Sequence, residues 1–194
     1  MSQGKYTLLA VQPKIEEFLK PMLRAGGFDV SFRICEGETR HPDFENPDIV
    51  VKFSGPDTDL LLANKAELLL ALEQLTMEIL RVPGEEHSLV CFDANDYRML
   101  RIEELRLSAL TAAEKVKRSG APFCFNPMNS RERRIIHLAL REETAVRSES
   151  AGMGAYRQVI VYPAGMPSQP QLAVPPMERP SSRPPMRRGP RRRF

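Results

Sequence analysis

Tryptophan is absent from this chain, cysteine and histidine number three each, and aromatic residues make up only 7% of its 194 residues. Cys35, Cys91 and Cys124 are odd in number and widely spaced, which builds neither a disulfide framework nor a zinc site. Unpaired thiols in a reducing compartment are the expectation. His41 and His87 stand alone. Asp43, Glu45, Asp48, Asp57 and Asp59 surround loops with no partnering His or Cys, so no metal and no cofactor is expected. No apolar run approaches the ~18 residues of a membrane span. Lys5, Lys14, Glu16, Glu17 and Lys20 interrupt the first twenty residues, unlike a secretory leader, and a cytoplasmic location is expected. Also missing are a Gly-rich nucleotide-hydrolase loop and a nucleophile elbow around Ser130. No catalytic residue is assigned, and the chain is not expected to be an enzyme.

Charge is present but unevenly distributed. The whole chain sums to +3. From Pro163 onward stand seven Arg and one Glu, a local net of +6, which leaves −3 for the first 162 residues. Nine of the seventeen prolines also fall in this last stretch, where apolar residues are sparse. Such a composition cannot bury enough surface to offset its ordering entropy. A disordered basic tail over 163–194 is expected, attracted to phosphate or to anionic lipid, with nucleic acid favoured.

Periodicity organises the remainder. Val11, Ile15, Phe18, Leu19, Met22 and Leu23 recur at helical spacing. Pro21 should kink or shorten that helix, and Gly26-Gly27 should stop it. Residues 28–34 alternate apolar and polar, as a strand with one buried face does. Ile49, Val51 and Phe53 mark a second strand. Residues 57–80 read as helical with a polar break at Ala63-Asn64-Lys65-Ala66. Their stretch 68–80 is apolar over most of its circumference and is expected to be sandwiched between layers. A strand over 87–92 and a helix from about Asp93 to Arg118 follow, the latter with Ile102, Leu105, Ala109, Ala113 and Val116 on one face and Gly120 closing it. The second unit begins with a short strand at 123–125. A helix capped by Asn129 or Ser130 comes next, with Glu132 at the capping-box position, then two strands over 146–150 and 157–162. The fold class is α+β: two small α/β layer units and a tail.

The most informative stretch is Asn126-Pro127-Met128-Asn129-Ser130-Arg131-Glu132-Arg133-Arg134-Ile135-Ile136-His137. Arg133 and His137 are four apart on one helix and share a face. A guanidinium offers a fixed fork of donors to phosphate. An imidazole one turn away adds a donor and a flat ring able to stack on a base. Arg131 and Arg134 add positive charge nearby. On spacing alone, such a pair is more often an ordinary solvated helix face.

Context alters that balance. Residues 96–162 resemble the Arg-x-x-x-His (R-three-H) single-stranded nucleic-acid-binding domain of bacterial Jag proteins. The resemblance runs through the lead-in helix, the turn Arg118-Ser119-Gly120, the stretch 126–140 and the strand–loop–strand from Val146 to Val161. It places the family's paired residues on Arg133 and His137, and its last-strand basic residue on Arg157. In Jag proteins a KH domain precedes this one, and residues 1–95 resemble it more weakly. The family's phosphate-clamping Gly-x-x-Gly loop falls on Ala63-Asn64-Lys65-Ala66, where both glycines are replaced. Only Lys65 remains there as a phosphate contact, and a degenerate KH-like domain acting as scaffold or protein-partner surface is expected. The family's N-terminal Jag domain has no counterpart in this sequence. The resemblance implies a bacterial protein binding single-stranded RNA, with single-stranded DNA as the other ligand, in a post-transcriptional role. The rival is a protein-interaction adaptor using the KH-like domain. An enzyme acting on a nucleotide phosphate ranks third.

Overall fold

A computed structural model of the chain describes residues 6–37 and 42–168. Two units follow one another. The first comprises α1 (Leu8–Ala25), β1 (Ser31–Glu36), β2 (Ile49–Ser54), α2 (Thr58–Leu80) and β3 (Val90–Ala94). The second comprises α3 (Tyr97–Ser119), β4 (Phe123–Cys124), α4 (Ser130–Ala139), β5 (Val146–Ala151) and β6 (Gln158–Pro163). The mixture of helix and strand makes the fold α+β, as expected.

In the first sheet β2 is central. It pairs antiparallel with β1 and parallel with β3, and α2 supplies the crossover that parallel strands require. Val11, Ile15, Leu19 and Leu23 form the buried stripe of α1. Pro13 and Pro21 both lie within that helix without ending it, contrary to the expectation for Pro21. Both prolines are on the exposed side, while Leu19 and Leu23 pull the backbone around Pro21 into the core.

The expected break in α2 is a real turn. Ala63 has extended ψ, and Asn64, Lys65 and Ala66 all have positive φ (52°, 63° and 60°), so two helical pieces meet there. The sandwiching of 68–80 is not complete. Leu69, Leu72 and Met77 are buried, but Leu75 and Ile79 are 46% and 45% exposed. Among the described residues, no layer covers that side of α2.

Boundaries shift between α2 and α3. Gly84–Leu89 is a 3-10 turn, so His87 lies outside the strand expected over 87–92, and its ring Nε2 lies 3.0 Å from the Val82 carbonyl. The helix expected from Asp93 starts at Tyr97, because Asp93 belongs to β3 and Asn95 and Asp96 have positive φ. Asn and Asp tolerate that region best among residues with a side chain. The Asp93 carboxylate instead accepts from the Arg98 backbone N–H at 3.1 Å.

In the second unit β6 is central, antiparallel to both β4 and β5. Ile102, Leu105, Ala109, Ala113 and Val116 of α3 meet Ile135, Ile136, Val159 and Val161 in its core. Beyond β6 the backbone stays engaged: Ala164 N–H donates to Ala145, and the Met166 carbonyl accepts from Arg147 at 2.7 Å. From residue 169 the basic tail lies outside the described residues.

Charges join the two units. Arg98 of α3 donates to Glu45 at 2.6 and 3.0 Å and to Glu73 of α2 at 3.2 Å. Arg131 of α4 donates to Glu73 at 2.9 Å and to the His87 carbonyl at 3.1 Å. Glu73 also accepts from the Phe92 backbone N–H at 2.7 Å. Phe44, next to Glu45, packs against the second core.

Candidate nucleic-acid interface

The sequence of α4 sets its start. The Asn129 side chain accepts from the Glu132 N–H at 2.9 Å, and the Glu132 carboxylate accepts from the Asn129 N–H at 3.2 Å. This is the expected capping box, and it satisfies two donors at once. Glu132 is further held by Arg101 of α3 at 2.6 Å. With Ile135 and Ile136 buried, helical spacing turns Arg133 and His137 toward β5.

There His137 meets two hydroxyls. Its Nδ1 lies 2.7 Å from Ser148 Oγ and its Nε2 lies 3.0 Å from Ser150 Oγ. Ser148 pairs with Val161 and Ser150 with Val159, both fully buried. Across a pleated pair, opposed residues share a face, so the serines lie on the side of the sheet that packs against the helices. Burial, and then the Arg133 charge, hold the His137 imidazole below its ordinary pKa. The ring therefore favours its neutral form.

Arg133 is the unusual member. Its Nε–H is buried and has no hydrogen-bond partner among the described residues. Desolvation, and then the like charge of Arg157, lower its pKa. Two like charges thus act on each other, with no carboxylate paired to either among the described residues. Buried polar groups in folded proteins are nearly always paired. An orphaned cationic donor next to a second cation is an arrangement that an anion would relieve.

The expected residues separate into three places. Arg133, His137 and Arg157 come together. Arg131 does not join them, because its donors are taken by Glu73 and the His87 carbonyl. Arg134 is exposed and lines a cleft of about 470 Å³ between α2 and the α3–α4 pair, together with Arg131, Gln74 and Glu85. Lys65 is exposed at the α2 turn in the other unit. Ser148 and Ser150 were not singled out from the sequence. Their Ser-x-Ser spacing in an expected strand was the available signal, since period two puts both on one face.

The β5–β6 connection brings Arg157 into place. Gly152 has φ +89°, and a Cβ there would stand 2.6 Å from the Tyr156 carbonyl oxygen, so only glycine fits. The Arg157 carbonyl accepts from Met128 N–H at 3.1 Å, which ties this loop to the approach of α4.

Elsewhere the chemistry is sparse. All three cysteines are free, and burial pushes the Cys91 thiol up to about 11. Among the described residues no group of three His, Cys, Asp or Glu side chains could hold a metal ion. No helix there is long and apolar enough to cross a membrane.

The R-three-H domain family model matches residues 103–163, which include the whole Arg133–His137–Ser148–Ser150–Arg157 group. Three similar proteins are each named RNA-binding protein KhpB. The one from Clostridium symbiosum is 30% identical over 151 residues, covering 78% of this chain and 65% of the relative. The one from Lactiplantibacillus plantarum is 30% identical over 119 residues, covering 61% and 37%. The one from Bacillus subtilis is 33% identical over 111 residues, covering 56% and 53%. The chain thus spans 65% or less of the length of these relatives. Residues 103–163 thus match an R-three-H domain, and the chain around them is similar to these RNA-binding proteins.

Proposed function

We propose that this protein binds single-stranded RNA at the face shared by α4 and β5, and that its role is post-transcriptional rather than enzymatic. The observation that carries this reading is the buried, unpartnered Nε–H of Arg133 beside Arg157. The names of the relatives, all RNA-binding proteins, support RNA as the ligand. Arg133 and Arg157 hold phosphate, His137 completes the face, and Arg134 extends positive charge along the helix. Arg131 acts in this reading through the ion pairs that seat α4 against the first unit. The first unit is a degenerate KH-like domain. Its helix–turn–helix keeps the place of a phosphate-clamping loop, with Lys65 as the remaining contact, and it serves mainly as scaffold or partner surface. The setting is the cytoplasm of a bacterium.

Crosslinking the protein to RNA in cells and sequencing the recovered RNA tests the proposal. Recovery above background is expected, and a marked loss is expected for Arg133→Ala. Recovery of no RNA above background would remove RNA as the ligand. A second comparison uses a chain truncated after Ser168. The missing segment holds seven Arg and one Glu, so the fall of affinity with salt should become shallower. An unchanged slope would show that the tail makes no phosphate contacts.

A further inference from the structure

The two serines flanking His137 point to a role for that residue which its position on the helix does not suggest. We propose that the Ser148 and Ser150 hydroxyls, together with Arg133 and Arg157, form the surface that receives a phosphodiester, and that His137 is a positioning residue acting through them. This rests on the single-strand reading given above and assigns contacts within that site.

Counting donors and acceptors gives the reason. A neutral imidazole has one N–H and one bare nitrogen, and a serine hydroxyl has one proton and two lone pairs. Both ring nitrogens of His137 lie within hydrogen-bonding distance of a serine oxygen. The ring therefore has no edge left for a ligand unless it gives up a serine. The serine facing the N–H accepts and keeps its own proton. The serine facing the bare nitrogen donates its proton. In either tautomer one O–H remains unspent, and neither hydroxyl has another hydrogen bond among the described residues. Both serines are only partly buried, so that O–H can be reached from outside. Arg133, whose charge acts on the His137 ring and whose Nε–H has no partner among the described residues, and Arg157, whose charge acts on Arg133, complete the group. Donors from three sources, with no carboxylate paired to them among the described residues, match a phosphodiester, whose non-bridging oxygens only accept. His137 fixes which hydroxyl points outward and holds both rotors still, so less rotamer entropy is lost on binding.

The test measures binding of a fluorescent oligouridylate by anisotropy, with melting temperature taken on the same samples. The double variant Ser148→Ala/Ser150→Ala should bind about tenfold more weakly, as expected for lost hydrogen bonds to a charged group. Ser148→Thr/Ser150→Thr keeps both hydroxyls and suits a strand, so it should retain binding. His137→Ala should weaken binding in the wild-type background and add nothing in the double-alanine background. The ring 15N resonances of His137 should keep one protonated and one bare nitrogen when the strand is added. Wild-type affinity in a folded double-alanine variant would overturn the proposal. So would a further tenfold loss from His137→Ala in that background, or conversion of the ring to imidazolium on binding. If the double-alanine variant fails to fold, the threonine variant and the 15N spectra decide. Binding that depends on Arg133 but not on the serines would end this proposal alone. A wild-type protein that does not bind the strand would end the single-strand reading along with it.

Discussion

His137 gives the folded protein a specific dependence on pH. Its pKa is lowered by burial and by Arg133, whereas the unfolded chain titrates near the ordinary value of ~6.5. Below that value the unfolded chain binds more protons than the folded one at this position, so acid favours unfolding. The contribution is fully present above pH ~6.5 and is lost as pH falls through the depressed folded value. Melting temperature should therefore drop between pH 7.5 and 5.0, and drop less for His137→Gln. Equal slopes for the two proteins would show that the ring is not held neutral. Arg133 makes a second prediction at this scale. Its Nε–H lacks a partner and Arg157 opposes its charge, so the side chain is placed at a cost to stability. Arg133→Gln should melt at the same temperature or higher while binding single strands about tenfold more weakly, ~1.4 kcal/mol. A lower melting temperature with unaltered binding would mean that Arg133 is a packing residue. At this scale the sequence placed Arg133 and His137 on one helix face, and the family resemblance added Arg157. The sequence could not show that Arg131, two positions away, would be drawn into ion pairs with an acid 58 residues distant.

Among the elements, the α2 turn carries the strongest local conflict. Asn64, Lys65 and Ala66 occupy left-handed backbone, which costs a residue with a Cβ roughly 1–2 kcal/mol. Ala66 is fully buried and fills core space, whereas Lys65 is exposed. Lys65→Gly relieves strain without opening a cavity, and glycine's greater unfolded-state freedom takes back part of the gain, ~0.5–1 kcal/mol. A net stabilisation of about 1 kcal/mol is expected in urea denaturation. A loss of stability would show that the Lys65 side chain is held by contacts in the fold. Elements with strong periodicity were legible in the sequence: the buried face of α3, the capping box of α4 and the alternation in β1. The errors fell where tertiary contacts outweigh local preference. Pro21 sits inside α1 because the buried face of that helix continues to Leu23. Asp93 joins β3 because pairing with Lys52 of β2 extends the strand past its apolar run.

In the molecule as a whole, Glu73 has the widest reach. It is a buried acid of the first unit that holds Arg98 and Arg131 of the second and caps the Phe92 N–H. Removing one partner from a buried charge network costs ~3–5 kcal/mol because the remaining charges are stranded. Glu73→Ala should lower stability by about that amount and split thermal unfolding into two transitions in calorimetry. A single transition at the wild-type temperature would show that the units are joined by other means. The Glu45 and Glu73 partnerships could not be read along the chain, because sequence distance carries no information about which surface acid meets which base once two units pack. The sequence by itself determined the α+β class, the order of elements and the helix face bearing Arg133 and His137. Those follow from local periodicity, capping and turn chemistry, which act over a few residues. Only the tertiary structure decided which arginines are spent on ion pairs, that the Arg133 Nε–H is left without a partner, and that two serines hold the His137 ring. Each of those outcomes depends on burial and on side chains far apart in sequence, and both are fixed only when the layers pack.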